Sequence, residues 1–315
     1  MTHASPYVLP SSAPYHYLST RFDARYGALW CILDPKPRAC FSFEVLEELR
    51  RFQNGVERLH ERGEEERSRV RYVILASRTP GVFNLGGDLQ LFVRCVKEND
   101  PETLRKYALA CIDVLYPHAV GFNLPITTIS LVQGDALGGG FEAALASDVV
   151  IAERSAQMGF PEVLFNLFPG MGAYNLLDRR LGMLRAERMI LNGKLYRAEE
   201  LHAEGVIDIL ADDGRGESAL HEYIVRSSGN SNAREAVLRV RRMLRPLRYE
   251  QLLSVLDIWV EAAMRLGSRE IRLMERLARA QDRLPAKGTG SFFPGTEKPS
   301  PSPWKPSGNG RVPPP

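Results

Sequence analysis

The chain has 315 residues, 44% hydrophobic and 25% charged, which is enough apolar material to bury a substantial core in one large domain or two ordinary ones. Lys and Arg number 41 against 38 Asp and Glu, and a net charge of only +3 gives no basis for nucleic-acid binding. The four cysteines, Cys31, Cys40, Cys95 and Cys111, form no C-x-x-C pair, no secretory leader is evident, and no apolar run approaches the ~20 residues that cross a bilayer. The composition predicts a soluble cytoplasmic protein with reduced thiols and no membrane partner.

Residues 1–19 are rich in Pro, Ser and Tyr and are expected to form a loose lead-in. The run 26–33 reads as a first strand, broken by Asp34-Pro-Lys-Pro-Arg38. Ser42 stands where an N-cap opens a helix from 43 to about 60, whose Val45, Leu49, Phe52, Val56 and Leu59 recur at helical spacing. The charged run 61–69 predicts a solvated loop. A strand at 70–76 leads to a glycine turn, Phe83-Asn-Leu-Gly-Gly-Asp-Leu89, and then to helices over 88–100 and 101–118. Repetition of β–α–β predicts a layered α/β fold.

The centre of the chain is more specific. The run 126–132, dominated by β-branched residues, ends in Gly134-Asp-Ala-Leu-Gly138-Gly139-Gly140-Phe-Glu142, where strand turns into helix. Three glycines remove every side chain at that corner, so backbone N–H groups can approach a ligand closely. The Lys-Ser/Thr ending of a phosphate loop is missing, and a carboxylic acid follows instead. N–H donors beside an acid predict carbonyl chemistry. A second acid follows in Gln157-Met-Gly-Phe-Pro-Glu162, and then Phe168-Pro-Gly-Met171-Gly172. The histidines have no partners at metal-ligand spacing and no G-x-S-x-G elbow occurs, so neither a metal nor a cofactor is expected.

A short strand at 148–152, helices at 174–181 and 184–192 stopped by Gly193, and a last strand at 206–210 complete the core. From 216 the sequence is helical and arginine-rich. Arg234, Arg241, Arg245 and Arg248 share one side of a helical wheel, and Pro246 ends or kinks that helix. The helical stretch 250–283 is interrupted at Gly267 and Ser268. The expected organisation is a lead-in at 1–19, a core at 20–215, a helical region at 216–284 and a disordered Pro/Ser/Gly-rich tail at 285–315.

The glycine-aspartate turn at 84–88, the Gly-Gly-Gly-x-Glu turn at 138–142 and the Pro-Glu segment at 161–162 resemble, in order and spacing, those of the crotonase (enoyl-CoA hydratase/isomerase) superfamily. The resemblance covers about residues 20–285. It implies a spiral of stacked ββα turns with C-terminal helices that cap the site and join subunits into trimers or hexamers. It also implies Glu142 and Glu162 as catalytic acids, and an oxyanion hole from the N–H groups of Leu85 and Gly139. Gly86, Gly138 and Met171 are implied in substrate binding. Leu85 departs from the alanine common in the superfamily, and its side chain is expected to reshape the entrance.

The segments 26–38, 83–88, 158–162 and 165–170 are most similar to those of diffusible signal factor synthases. That likeness implies dehydration of a 3-hydroxyacyl thioester on acyl carrier protein to the cis-2-enoyl form. It further implies thioester hydrolysis to a free fatty acid that serves as a quorum signal. The alternatives are an enoyl-CoA hydratase of fatty-acid breakdown, acting on coenzyme A thioesters, and a crotonase-like protein that docks a signalling partner such as a sensor kinase. The arginine face is the candidate dock for an acidic carrier protein.

Overall fold

The computed structural model describes residues 14–61 and 69–282. The expected charged loop therefore lies outside the described residues at 62–68, as do most of the lead-in and the tail at 285–315.

The strands are β1 Leu18–Asp23, β2 Ala28–Leu33, β3 Tyr72–Ser77, β4 Val82–Asn84, β5 Thr127–Val132, β6 Asp135–Leu137, β7 Val149–Glu153, β8 Gln157–Gly159, β9 Leu195–Arg197 and β10 Ile209–Ala211. The helices are α1 Phe43–Glu57, α2 Leu89–Glu98, α3 Pro101–Ala119, α4 Gly139–Leu145, α5 Ala173–Leu181, α6 Met183–Leu191, α7 Ala198–Ala203, α8 Gly216–Ser228, α9 Ser231–Leu244, α10 Tyr249–Met264 and α11 Ser268–Gln281.

Two sheets share the strands. One runs β1-β2-β3-β5-β7-β10 and the other β4-β6-β8-β9. Each consecutive pair, β3/β4, β5/β6 and β7/β8, places one strand in each sheet before a helix returns the chain, so the fold is the expected spiral of ββα turns. Pairing from β2 through β10 in the first sheet is parallel, as is β4-β6-β8 in the second. The main core lies between the sheets and helices α1, α3 and α4. A second cluster, built on Trp30, Ile74, Ile129, Ile151 and Leu220, seals α8 against the other face of the larger sheet.

Local signals behave as their chemistry dictates. Ser42 caps α1, its Oγ accepting from Val45 N at 3.4 Å, and Asp88 caps α2 by accepting from Gln90 N and Leu91 N. Several short elements escaped sequence reading, β1, β4, β6, β8, β9 and α7 among them, and the chain is already in strand at Leu18. β1 is an edge strand in which Thr20 and Arg21 are exposed and only Leu18 is buried, so it carries no apolar run.

The four arginines do not share one helix. α9 stops at Leu244, which carries Arg245 and Arg248 past its end. Arg234 donates to Tyr223 Oη and Arg241 to Asp148 Oδ1 at 2.7 Å, while Arg245 donates to Asp178 O at 3.3 Å. Asp148 also receives Arg242 at 2.7 Å and the Thr128 N–H at 3.1 Å, and is 4% exposed. Asp148→Ala is expected to destabilise the fold by about 3 kcal/mol, because two arginines lose their buried counter-ion. Urea unfolding followed by circular dichroism measures it, and a change below about 1 kcal/mol would contradict this role.

Candidate active site

The site follows from strand order. β4, β6 and β8 are parallel neighbours, with Asn84 opposite Ala136 and Leu137 opposite Gly159. The segments leaving their C-terminal ends, 85–87, 138–140 and 160–162, therefore emerge side by side, where parallel sheets usually hold ligands. Two glycines make the crowding possible. Gly86 has φ +87°, and a Cβ there would lie 2.7 Å from Leu137 O. Gly138 has φ +52°, and its Cβ would collide with Glu162 Oε1.

Hydrogen-bond accounting along the first turn identifies its free donor. Leu85 N–H donates to Ala39 O at 2.7 Å and Gly86 N–H to Asn84 Oδ1 at 2.8 Å. Asp88 N–H donates to Tyr107 Oη at 3.1 Å, and Phe41 N–H donates to Gly86 O at 2.8 Å. The Leu85 and Gly87 carbonyls both accept from Gln281 Nε2 at 3.1 Å. Among the described residues only the Gly87 N–H of this turn is left without an acceptor. The assignment of Leu85 as a donor is thereby corrected. Its side chain is buried in a cluster with Ala39, Val82 and Leu137, against which Leu195 packs.

Gly139, the first residue of α4, likewise has an N–H with no acceptor among the described residues. A Cβ built on Gly139 would lie 3.6 Å from Gly87 N, so the two donors are close neighbours. The only sequence signal for Gly87 was its place just before the helix-capping Asp88.

Glu142, 1% exposed, sits one turn into α4. Its Oε1 accepts from Met171 N and Ala173 N, each at 2.8 Å, which ties the 168–172 loop to the helix. Glu162 follows Pro161 in a short 3₁₀ turn, Pro161–Phe165. The residue is partly exposed, yet its Oε2 is enclosed with no hydrogen-bond partner. Burial pushes the Glu142 carboxyl up to about 8, helped by the Glu162 charge and opposed by the Ala173 and Met171 N–H groups. Burial likewise raises Glu162, to about 7. The pair thus retains a proton near neutrality, so one carboxyl can donate while the other accepts.

Raised carboxyl pKa values weaken the fold as pH rises. Between the ordinary value of 4.5 and about 7 the native state binds more of the Glu162 proton than the unfolded chain does, so stability falls across that window. Glu162→Gln, which cannot ionise, is expected to raise Tm relative to wild type by more at pH 8 than at pH 5. Calorimetry at the two pH values checks this, and a gain that is equal or larger at pH 5 contradicts it.

The implied ligand-binding residues gather here. Met171 Sδ would be 2.8 Å from a Cβ on Gly139, beside Gly86. Met171 also closes one end of a narrow apolar cavity of about 30 Å³ that runs past Ala143, Phe41, Leu46 and Leu75. The C-terminal helices cover the site: Trp259 of α10 stands over Gly170 and edge-on to Phe92 at 5.1 Å, and Leu252 touches Gly172. The largest cavity, about 620 Å³, is lined by Arg71, Tyr72 and Thr127 at the N-terminal ends of β3 and β5, away from both acids. No three His, Cys, Asp or Glu side chains among the described residues gather as metal ligands. No described helix is long and apolar enough to cross a membrane.

In this α/β spiral two carboxyl groups with raised pKa values stand beside the Gly87 and Gly139 N–H groups, which have no acceptor among the described residues. The enoyl-CoA hydratase/isomerase family matches residues 34–221, a span that contains both glycine turns and both acids, and this chain belongs to that family, within the crotonase superfamily. It is 33% identical over 157 residues to rat (Rattus norvegicus) mitochondrial methylglutaconyl-CoA hydratase, covering 50% of this chain and 48% of that protein. The chain thus spans about half the length of such curated relatives. An Arabidopsis thaliana protein named Probable enoyl-CoA hydratase 2, mitochondrial, is 28% identical over 78% of this chain and 73% of its own. Among solved structures, an enoyl-CoA hydratase from Mycobacterium avium subsp. paratuberculosis aligns with TM-score 0.67 at 19% identity over 87% of this chain and 99% of its own. Pseudomonas aeruginosa DspI aligns with TM-score 0.61 at 22% identity over 78% and 94%. These structures share the fold.

Proposed function

We propose that this protein is a hydro-lyase that adds or removes water across the C2–C3 bond of an acyl thioester. The observation that carries this is the convergence of Glu142 and Glu162, both with raised pKa values, on a place flanked by the free Gly87 and Gly139 N–H groups. The thioester oxygen sits between those donors, which stabilise the enolate formed when the α-proton leaves. In dehydration, the Glu162 carboxylate, whose Oε2 has no hydrogen-bond partner, takes that proton while the protonated Glu142 gives one to the departing hydroxyl, releasing water. Hydration is the reverse. Met171, beside Gly139, is the candidate contact for the first carbons of the acyl chain.

The finer reading is synthesis of a cis-2-unsaturated free acid, a diffusible signal factor. It is supported by the segments 26–38, 83–88 and 165–170, two of which meet in the Arg38–Asp88 ion pair at 2.8 Å. Hydrolysis has a route in the same place, since a water held by the acids faces the polarised thioester carbonyl. The relatives named as hydratases favour simple hydration of coenzyme A thioesters. A purely docking role leaves the acid pair without a purpose. The Val237, Val240, Met243 and Leu244 side chains exposed on α9 support assembly with further copies.

Purified protein given 3-hydroxyacyl thioesters on acyl carrier protein and on coenzyme A, with products identified by mass spectrometry, separates the readings. Free cis-2-enoic acid supports signal-factor synthesis. A trans-2-enoyl thioester with no free acid leaves the hydratase. No change in any thioester would overturn the hydro-lyase assignment.

A further inference from the structure

We infer that Gln281, the last residue of α11, is a positioning residue that aims the Gly87 N–H into the site; the inference rests on the oxyanion reading above. Gln281 is 2% exposed, and its Nε2 donates to Leu85 O and to Gly87 O, each at 3.1 Å. Those carbonyls belong to the peptide units on either side of the one that bears the Gly87 N–H. Asn84 grips the same turn from within the sheet, its Oδ1 accepting from Gly86 N–H at 2.8 Å. Two side-chain amides therefore hold a backbone segment with Gly at two consecutive positions, which on its own would sample many conformations.

The grip is built rather than incidental. The amide reaches the turn because α11 is fixed along α2 by the Lys97–Glu275 ion pair at 2.5 Å and by Gln90 Nε2, which donates to Asp282 Oδ1 at 3.1 Å. Asp282 also lies 3.8 Å from Arg38, the partner of Asp88, at the far end of the turn. The C-terminal helix thus reports directly on the donor, and losing its last turn loosens the oxyanion hole without touching either acid. A misplacement of ~1 Å is enough to cost about 10²-fold in rate.

The test uses the full chain with Gln281→Met, which keeps shape and removes the donor, and Gln281→Asn, which draws the donor back. Steady-state hydration of a medium-chain 2-enoyl-CoA is measured with the Raman carbonyl stretch of the bound thioester. Wild type is expected to lower that stretch relative to free substrate. Gln281→Met should lower kcat about 10- to 100-fold with KM within about threefold, and should lose most of the carbonyl shift. Gln281→Asn should fall between the two, and it carries the same test if the methionine variant does not fold. Folded variants that keep wild-type kcat and the full carbonyl shift would overturn the positioning role. A wild-type protein that leaves the carbonyl stretch at its free value would remove the oxyanion reading itself, and this inference with it.

Discussion

Glu142→Ala and Glu162→Ala are each expected to lower kcat for hydration of a 2-enoyl thioester by ~10²–10⁴, the usual contribution of a positioned general acid or base. In the proposed reaction the two acids act on one water and one α-proton, so the double variant should lose little more than the worse single one. Glu142 has a second task, since its Oε1 holds Met171 N and Ala173 N. Glu142→Gln keeps that acceptor and should keep Tm close to wild type, whereas Glu142→Ala releases the 168–172 loop and should lower Tm as well. Both should be nearly inactive. Stopped-flow loss of the enoyl-thioester absorbance, with circular dichroism as the control for folding, measures all of this. A folded variant at either position with wild-type kcat would show that the acid is not catalytic.

Gly138→Ala is expected to be nearly as damaging although it removes no functional group. Its φ of +52° is costly for any residue with a Cβ, by about 1–3 kcal/mol. The added methyl would also collide with Glu162 Oε1, so the carboxylate must leave its place or the 160–162 segment must move. Displacement on the order of 1 Å corresponds to a loss of ~10²-fold in kcat. Thermal unfolding should show a lower Tm in the same protein. Gly214→Ala is the control, because it too has a positive φ, +75°, but a Cβ there would meet open space. It should lower Tm alone. Equal kcat in the two variants would place Glu162 out of the reaction.

Much of this protein was legible in its sequence. Apolar runs marked β2, β3, β5 and β7, because a strand buried on both faces must be largely apolar. Ser42 announced α1, and Gly193 at φ +61° follows the end of α6, because those residues satisfy or relax helix ends locally. Both acids were identifiable from their spacing to glycines, and the fold brings them to one place. Each of these features is decided within about ten residues of chain.

What tertiary structure decided is which groups remain free. Leu85 and Gly87 are two residues apart and both carry an N–H, yet Ala39 O takes the first and nothing among the described residues takes the second. Arg234, Arg241, Arg245 and Arg248 read as one face of a helix, yet the helix ends at Leu244, and Tyr223 and Asp148 take hydrogen bonds from the first two. The amide that grips the 85–87 turn comes from 196 positions along the chain. The availability of a donor depends on every acceptor within reach, and distant segments supply those acceptors only once the spiral has closed. Residue spacing determined where the acids and glycines fall along the chain, and folding determined which N–H groups among the described residues are left without an acceptor.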